Sequence, residues 1–310
     1  MTIAAPPTLN ASGASRAIEV LGDAWVLRIL RTSFRGERRF SDYMRALGVS
    51  RAVLSERLER MCHDLLLEKV EHLGGHPEYR LTDRGLDLWG VLIAMWQWER
   101  HWGTGVDDQA PVHDRPRSRL VHLGCGKAID PVYACGHCRE PVTPFDTFAA
   151  VSIEAVPADA DAASRSARKR YRKSRSDDRG SLPTLMRAYG DRWNSALIAA
   201  ALQGKRTFSE LSEATGIWPA PLSDRLEELQ AMGLMRAKSY AGSRQEYRLT
   251  RAAIATYPIT VELLQWGDRW LWENRPPMRI THRTCGHALH AHWLCPECGE
   301  ALSRTSVKIE

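Results

Sequence analysis

Along residues 15–31 the apolar positions are Ile18, Leu21, Trp25, Ile29 and Leu30, a spacing that lays one stripe along a helix. Gly36 interrupts the pattern. Ser41 offers an N-cap to a short helix over 42–47, and Gly48-Val49-Ser50 makes a turn whose serine caps a further helix over 51–64. Two helices joined by a three-residue turn that opens on glycine have helix-turn-helix spacing. In the second helix Leu54, Leu58, Met61 and Leu65 share one face; Ala52, Ser55, Glu56 and Glu59 point the other way. Leu67–His72 and Glu78–Leu81 are strand-like runs around Gly74-Gly75-His76-Pro77, which predicts a hairpin, here a wing. Thr82 caps a long helix over roughly 83–103, striped by Leu86, Trp89, Leu92, Ile93 and Trp96, then Trp98 and Trp102. A stripe this wide suits core packing, with surface left for a partner subunit or a second copy.

The same text is then written again. Gly22-Asp23-Ala24-Trp25 returns as Gly190-Asp191-Arg192-Trp193, and Leu54-Ser55-Glu56-Arg57-Leu58 as Leu222-Ser223-Asp224-Arg225-Leu226. Glu78-Tyr79-Arg80-Leu81-Thr82 returns unchanged at 246–250, always 168 residues on. Between the copies, residues 157–182 hold Pro, Ala, Asp and Ser and then a run of basic residues from Arg165 to Arg175. That composition predicts a solvated tether, and its charge is compatible with a phosphate-contacting arm.

Six of the seven cysteines form two groups. His122-x2-Cys125-x9-Cys135-x2-Cys138 matches His282-x2-Cys285-x9-Cys295-x2-Cys298, at an offset of 160. Two Gly-containing turns with paired ligands read as a zinc ribbon in each copy, each four-ligand site closed and structural. His137, His287, His290 and His292 are alternative fourth ligands, but only His122 and His282 match between copies. A metal-free knuckle and disulfide chemistry are the competing readings. Cys62 stands alone beside the apolar face of its helix and reads as a packing residue.

The chain of 310 residues carries 43 Lys and Arg against 37 Asp and Glu, a net +6 that allows an anionic partner without requiring one. The longest apolar run, Trp89 to Trp96, is far short of the ~18–20 residues that span a bilayer. The first residues, MTIAAPPTLNASG, lack a basic n-region and an apolar h-region, so a cytoplasmic protein is expected. No phosphate-binding loop, nucleophile elbow or metalloprotease motif is found, so an enzyme is not expected.

The strings IEVLGDAW, RRFSD, VLSERLERM and PEYRLT, and in the second copy AYGDRW, RTFSEL, PLSDRLEELQAMGL and QEYRLT, resemble the HxlR-type winged helix-turn-helix regulators of bacteria. The resemblance covers about 95 residues of each copy. It implies DNA-binding transcription factors that act as homodimers through their first and last helices. Members often carry Cys-Pro before the first helix, where this chain has Ser12-Gly13, and Lys where it has Ala52 and Ala220.

The expected fold is mainly α with small β-hairpins: tandem winged helix-turn-helix domains, each with a zinc-ribbon-like appendage. Expected boundaries are a flexible tail 1–14, winged helix 15–110, ribbon 118–156, basic linker 157–182, winged helix 183–274 and ribbon 279–306. The expected function is sequence-specific regulation of transcription on double-stranded DNA, as a single-chain pseudo-dimer with two structural Zn ions, with further homodimerisation open. A protein-interaction module and a metal-responsive regulator are the alternatives. In copy one Ser50, Arg51 and Ser55 are candidates for base or nearby contacts, and Arg38, Arg39 and His76 for phosphate, while Arg57 either binds phosphate or braces the fold. In copy two the candidates are Lys205, Arg206, Trp218, Ser223, Arg225 and Arg244.

Overall fold

Gly22-Asp23 divides the first predicted helix into α1 (Gly13–Leu21) and α2 (Ala24–Phe34) in the computed structural model, which describes residues 12–72, 75–103, 118–151, 183–241, 244–273, 276 and 278–310. The Asp23 backbone is extended, and its carboxylate accepts from the N–H groups of Trp25 at 2.9 Å and Val26 at 3.3 Å, which starts a new helix. The end of the expected tail is helical instead: Ser12 caps α1 by accepting from the Ser15 N–H at 3.1 Å. The remainder of that tail, 1–11, and the basic linker lie outside the described residues.

α3 (Phe40–Leu47) starts before Ser41, so Ser41 is not its cap; Arg39 holds that position without a side-chain bond. Gly48, at φ 62°, ends the helix in the left-handed region that favours glycine. Ser50 caps α4 (Arg51–His63) by accepting from the Val53 N–H at 3.3 Å. The wing pairs β1 (Leu67–Val70) with β2 (Glu78–Leu81). A third edge forms where Arg39 bridges Glu78 and the Tyr79 N–H donates to the Arg38 carbonyl at 2.7 Å. Thr82 caps the next helix as expected. The helix itself is broken into α5 (Asp83–Leu86) and α6 (Trp89–Trp102), and Gly85 lies against the Leu66 carbonyl with no room for a side chain.

The first cysteine segment holds β3 (Leu120–His122), β4 (Lys127–Ile129), β5 (Val132–Cys135) and β6 (Thr147–Val151). Copy two follows with α7 (Thr184–Tyr189), α8 (Arg192–Leu202), α9 (Phe208–Thr215) and α10 (Pro219–Ala231). Its wing pairs β7 (Met235–Ala241) with β8 (Arg244–Leu249), followed by α11 (Arg251–Ile254) and α12 (Tyr257–Leu271). The chain ends with β9 (Met278–His282), β10 (Ala291–Leu294) and β11 (Val307–Ile309).

The two copies are not separate beads. Buried residues from both form one continuous apolar cluster that includes Leu30, Trp98, Tyr133, Ile198, Trp266 and Trp293. Contacts across the junction are reciprocal. The Trp98 indole N–H donates to the Ala252 carbonyl at 2.7 Å, and Trp266, its equivalent, donates to the Arg84 carbonyl at 2.9 Å. Asp23 bridges its own counterpart, Asp191. Such pairs place an approximate two-fold axis between the copies. One contact breaks that symmetry: α1 lies along α12, where Gly13 and Gly267 approach too closely for any side chain, and the shorter α7 makes no such packing on α6.

The cysteine segments also pair across the copies. Tyr133 of β5 faces Trp293 of β10, β6 runs antiparallel to β9, and β11 runs antiparallel to β3. Among the described residues, no helix is long and apolar enough to cross a membrane.

Candidate nucleic-acid interface and metal centres

The first turn of α4 is exposed and carries the positive charge of Arg51, whose guanidinium sits 5.2 Å from the centroid of the Phe40 ring. Phe40 directly follows Arg38 and Arg39, both exposed and both held to the wing through their backbones. Arg38, Arg39 and Arg51 therefore share one neighbourhood at the mouth of the helix-turn-helix. Ser50 is exposed at the N-cap. Ser55 is half-buried and donates to Glu59 Oε1 at 3.2 Å, and His76 is exposed at the wing.

Arg57 lies elsewhere. Its Nε donates to Asp23 Oδ2 at 2.8 Å, the carboxylate that caps α2, and only 20% of its side chain is exposed. Arg225 repeats this, 3.0 Å from Asp191 Oδ2 and 3.2 Å from Glu228 Oε2. Both arginines brace the fold. Arg57 ties α4 to the start of α2, and Arg225 ties α10 to the start of α8.

Copy two keeps less of the basic surface. Lys205, Arg206 and Ser223 are exposed, and the Tyr247 N–H donates to the Arg206 carbonyl at 2.7 Å as in copy one. Trp218 replaces the capping serine and packs edge-on to Trp193, with ring centroids 6.1 Å apart. Pro219 replaces Arg51, so the first turn of α10 has no cation. Arg244 opens β8. Two exposed cations on β7, Arg236 and Lys238, escaped the sequence reading. Their alternate spacing along a strand was the available signal, and copy one has Glu68 and Val70 there.

The eight predicted metal ligands all converge, but not copy by copy. His122 and Cys125 meet Cys295 and Cys298; Cys135 and Cys138 meet His282 and Cys285. In each group the ligand atoms lie within 4.8 Å of one another. The expectation of one closed site per copy is corrected. Lys127 to Cys135 is strand except for Asp130 and Pro131. At ~3.3 Å per residue, such a run carries the two knuckles of one copy apart, and each finds its complement in the other copy.

The geometry fits a tetrahedral ion. Zn–S bonds of about 2.3 Å and Zn–N bonds of about 2.0 Å place sulfurs about 3.8 Å apart and N and S about 3.5 Å apart. Cys125 and Cys295 Sγ are 3.8 Å apart, and Cys135 and Cys285 Sγ 3.9 Å. Nδ1 of His122 is 3.3 Å from Cys125 Sγ and 3.5 Å from Cys298 Sγ; Nδ1 of His282 is 3.3 Å from Cys138 Sγ and 3.5 Å from Cys285 Sγ. His122 Nε2 faces Glu300 Oε2 at 3.4 Å, a partner that orients the ring. Burial pushes the Cys135 and Cys295 thiols up, but hydrogen bonds from the knuckle backbones and neighbouring thiols bring both below the ordinary value. His137 and His287 are outside both groups and stack on each other at 3.4 Å, while burial pushes the Cys62 thiol up, as befits a packing residue.

Comparison with known proteins agrees with this architecture. The HxlR-like helix-turn-helix family matches residues 20–107 and 188–275. An uncharacterised HTH-type transcriptional regulator of Mycobacterium tuberculosis is 37% identical over 130 residues, covering 41% of this chain and 78% of the relative. The HTH-type regulator YvaP of Bacillus subtilis is 31% identical over 90 residues, 28% of this chain and 83% of its own. A third such regulator, from Synechocystis, is 33% identical over 88 residues, 27% of this chain and 65% of its own. With both matched regions falling on the two winged helices, the chain belongs to the HxlR-like helix-turn-helix family and carries its domain twice.

Proposed function

We propose that this chain is a sequence-specific DNA-binding regulator of transcription that engages DNA as a single-chain pseudo-dimer and holds two structural zinc ions. The observation that carries the reading is the basic first turn of α4 beside Arg38, Arg39 and the wing, braced from behind by Asp23–Arg57. In a helix-turn-helix that turn enters the major groove, and arginines on its flank hold phosphate. The reciprocal Trp98 and Trp266 contacts supply the two-fold relation that a pair of half-sites needs. Because α4 and α10 open differently, the half-sites are unequal. Half-site centres about 34–36 Å apart go with such a pair, and a cytoplasmic location goes with such a role. Structural zinc is supported by the tetrahedral spacing of both ligand groups.

The test is a footprint of the zinc-loaded protein on sequences it selects from a random pool, with affinity followed against salt. Two adjacent unequal protected sites and a steep salt slope are expected. Uniform affinity for all sequences would refute the reading. One feature favours a second use for copy two. Asp224 and Glu227 are exposed on α10, which suits a basic protein better than phosphate. Binding of a basic protein in the absence of DNA that weakens with salt and is lost in Asp224→Lys would establish it.

A further inference from the structure

We infer that the two zinc ions are cross-links between the copies, and that metal occupancy governs whether the two recognition helices act on DNA together. The inference rests on the zinc reading above and adds regulation to it. Each ligand group takes a His-x2-Cys knuckle from one copy and a Cys-x2-Cys knuckle from the other, so an ion bound in either group joins residues 150 or 170 positions apart in sequence. A site of this kind cannot be filled by one copy alone.

The ribbons are in turn fastened to the long helices. Gln97 on α6 donates to the Pro131 carbonyl at 2.7 Å, and Gln265 on α12 donates to the Ala291 carbonyl at 3.0 Å. These glutamines are equivalent in the repeat, as are their acceptors. Ala291 also returns its N–H to Gln265 Oε1 at 2.8 Å, which Pro131, lacking an N–H, cannot do. Asp130 adds bonds to Gln97 at 2.9 Å and His101 at 2.7 Å. A continuous path therefore runs from the winged helix of copy one through α6 and Pro131 to its ribbon, across both ions, and back through Ala291 and α12 to copy two. With the ions bound, the recognition helices are held at one spacing. With both removed, the copies keep their apolar contacts, the Trp98 and Trp266 hydrogen bonds and the strand pairings between the ribbons, but lose the links that fix the four knuckles to one another. Bivalent binding depends on that spacing, and its gain over one half-site is of order 10²–10⁴ in affinity.

The experiment compares two full-length double variants that each remove two thiolates. Cys125→Ser with Cys298→Ser disables one cross-copy site and spares the other; Cys125→Ser with Cys138→Ser disables both. Native mass spectrometry should find two zinc ions per chain in the unaltered protein, one in the first variant and none in the second. One ion in the second variant and none in the first would mean that each copy closes its own site, and would overturn the inference while leaving zinc binding intact. No zinc in the unaltered protein would overturn both. Should the variants fold poorly, the unaltered chain can be oxidised with diamide as zinc is withdrawn and its disulfides mapped. Bonds from Cys125 to Cys295 or Cys298 support the cross-link, and bonds from Cys125 to Cys135 or Cys138 refute it. On DNA selected by the zinc-loaded protein, the second variant should bind at least tenfold more weakly than the unaltered chain, yet equal it on a single half-site. Unchanged affinity on the paired site would overturn the regulatory part, and the metal counts, read without DNA, stand or fall separately.

Discussion

The Asp23 carboxylate performs two tasks, capping α2 and holding Arg57, and Asp191 does the same with Arg225. Partly buried pairs of this kind lie between exposed salt bridges, which contribute little, and buried ones, whose rupture strands a charge. Arg57→Ala should therefore lower unfolding free energy by about 1–3 kcal/mol in urea titration. A purely phosphate-binding arginine would leave stability untouched and change only the salt slope. Glu262 makes a second prediction at this scale. Its carboxyl is turned in against Gly90, and burial raises its pKa to about 8, with the Tyr133 hydroxyl and Arg269 opposing and Asp87 reinforcing the shift. Asp268 is likewise raised by burial to about 7. Both acids hold their protons in the folded chain at pH values where the unfolded chain has released them. Their contribution to stability should thus fall as pH rises from about 5 toward 8, by up to about 1.4 kcal/mol per pH unit for each group. Melting temperatures across that range should flatten in Glu262→Gln, which keeps the shape and cannot ionise. A melting temperature that rises over the range in the unaltered protein would contradict the assignment.

At the level of elements, the recognition helices differ most where they begin. Ser50 caps α4, whereas Trp218 and Pro219 open α10 without a side-chain cap. Ser50→Ala should cost about 1 kcal/mol, read by thermal melting. Arg51→Ala should relax base preference in half of the selected site, while Arg38→Ala should weaken binding to all sequences and reduce the magnitude of the salt slope by about 1. Selection from a random pool by each variant separates the two effects. Most of these elements were legible in the chain itself, because turns and caps are local: Gly48 with Ser50, and Thr82, fall where their chemistry requires. The breaks at Asp23 and after Leu86 were less so. Apolar spacing runs through both; the first comes from a carboxylate capping forward, and the second recurs in copy two between Ile254 and Tyr257.

For the whole molecule, the repeat fixed what the units are but not how they join. All eight ligands were legible, since their spacing is chemical. Their grouping was not, because a motif present twice reads the same whether its halves meet within a copy or between copies. What decides it is the largely extended run from Lys127 to Cys135, which keeps the knuckles of one copy apart. That exchange has a consequence for how the chain reaches its native state. Strands β3 and β11, and β6 and β9, are distant in sequence, so their pairing must wait until most of the polypeptide has been made and the loop between them closed. Until then each knuckle is an open half of a joint that any other chain can complete equally well. Refolding at high concentration should therefore yield linked oligomers, and refolding at high dilution monomers, a difference that size-exclusion chromatography would read directly. Carrying both copies on one polypeptide raises the local concentration of the right partner, and so favours the correct joint over its intermolecular rivals.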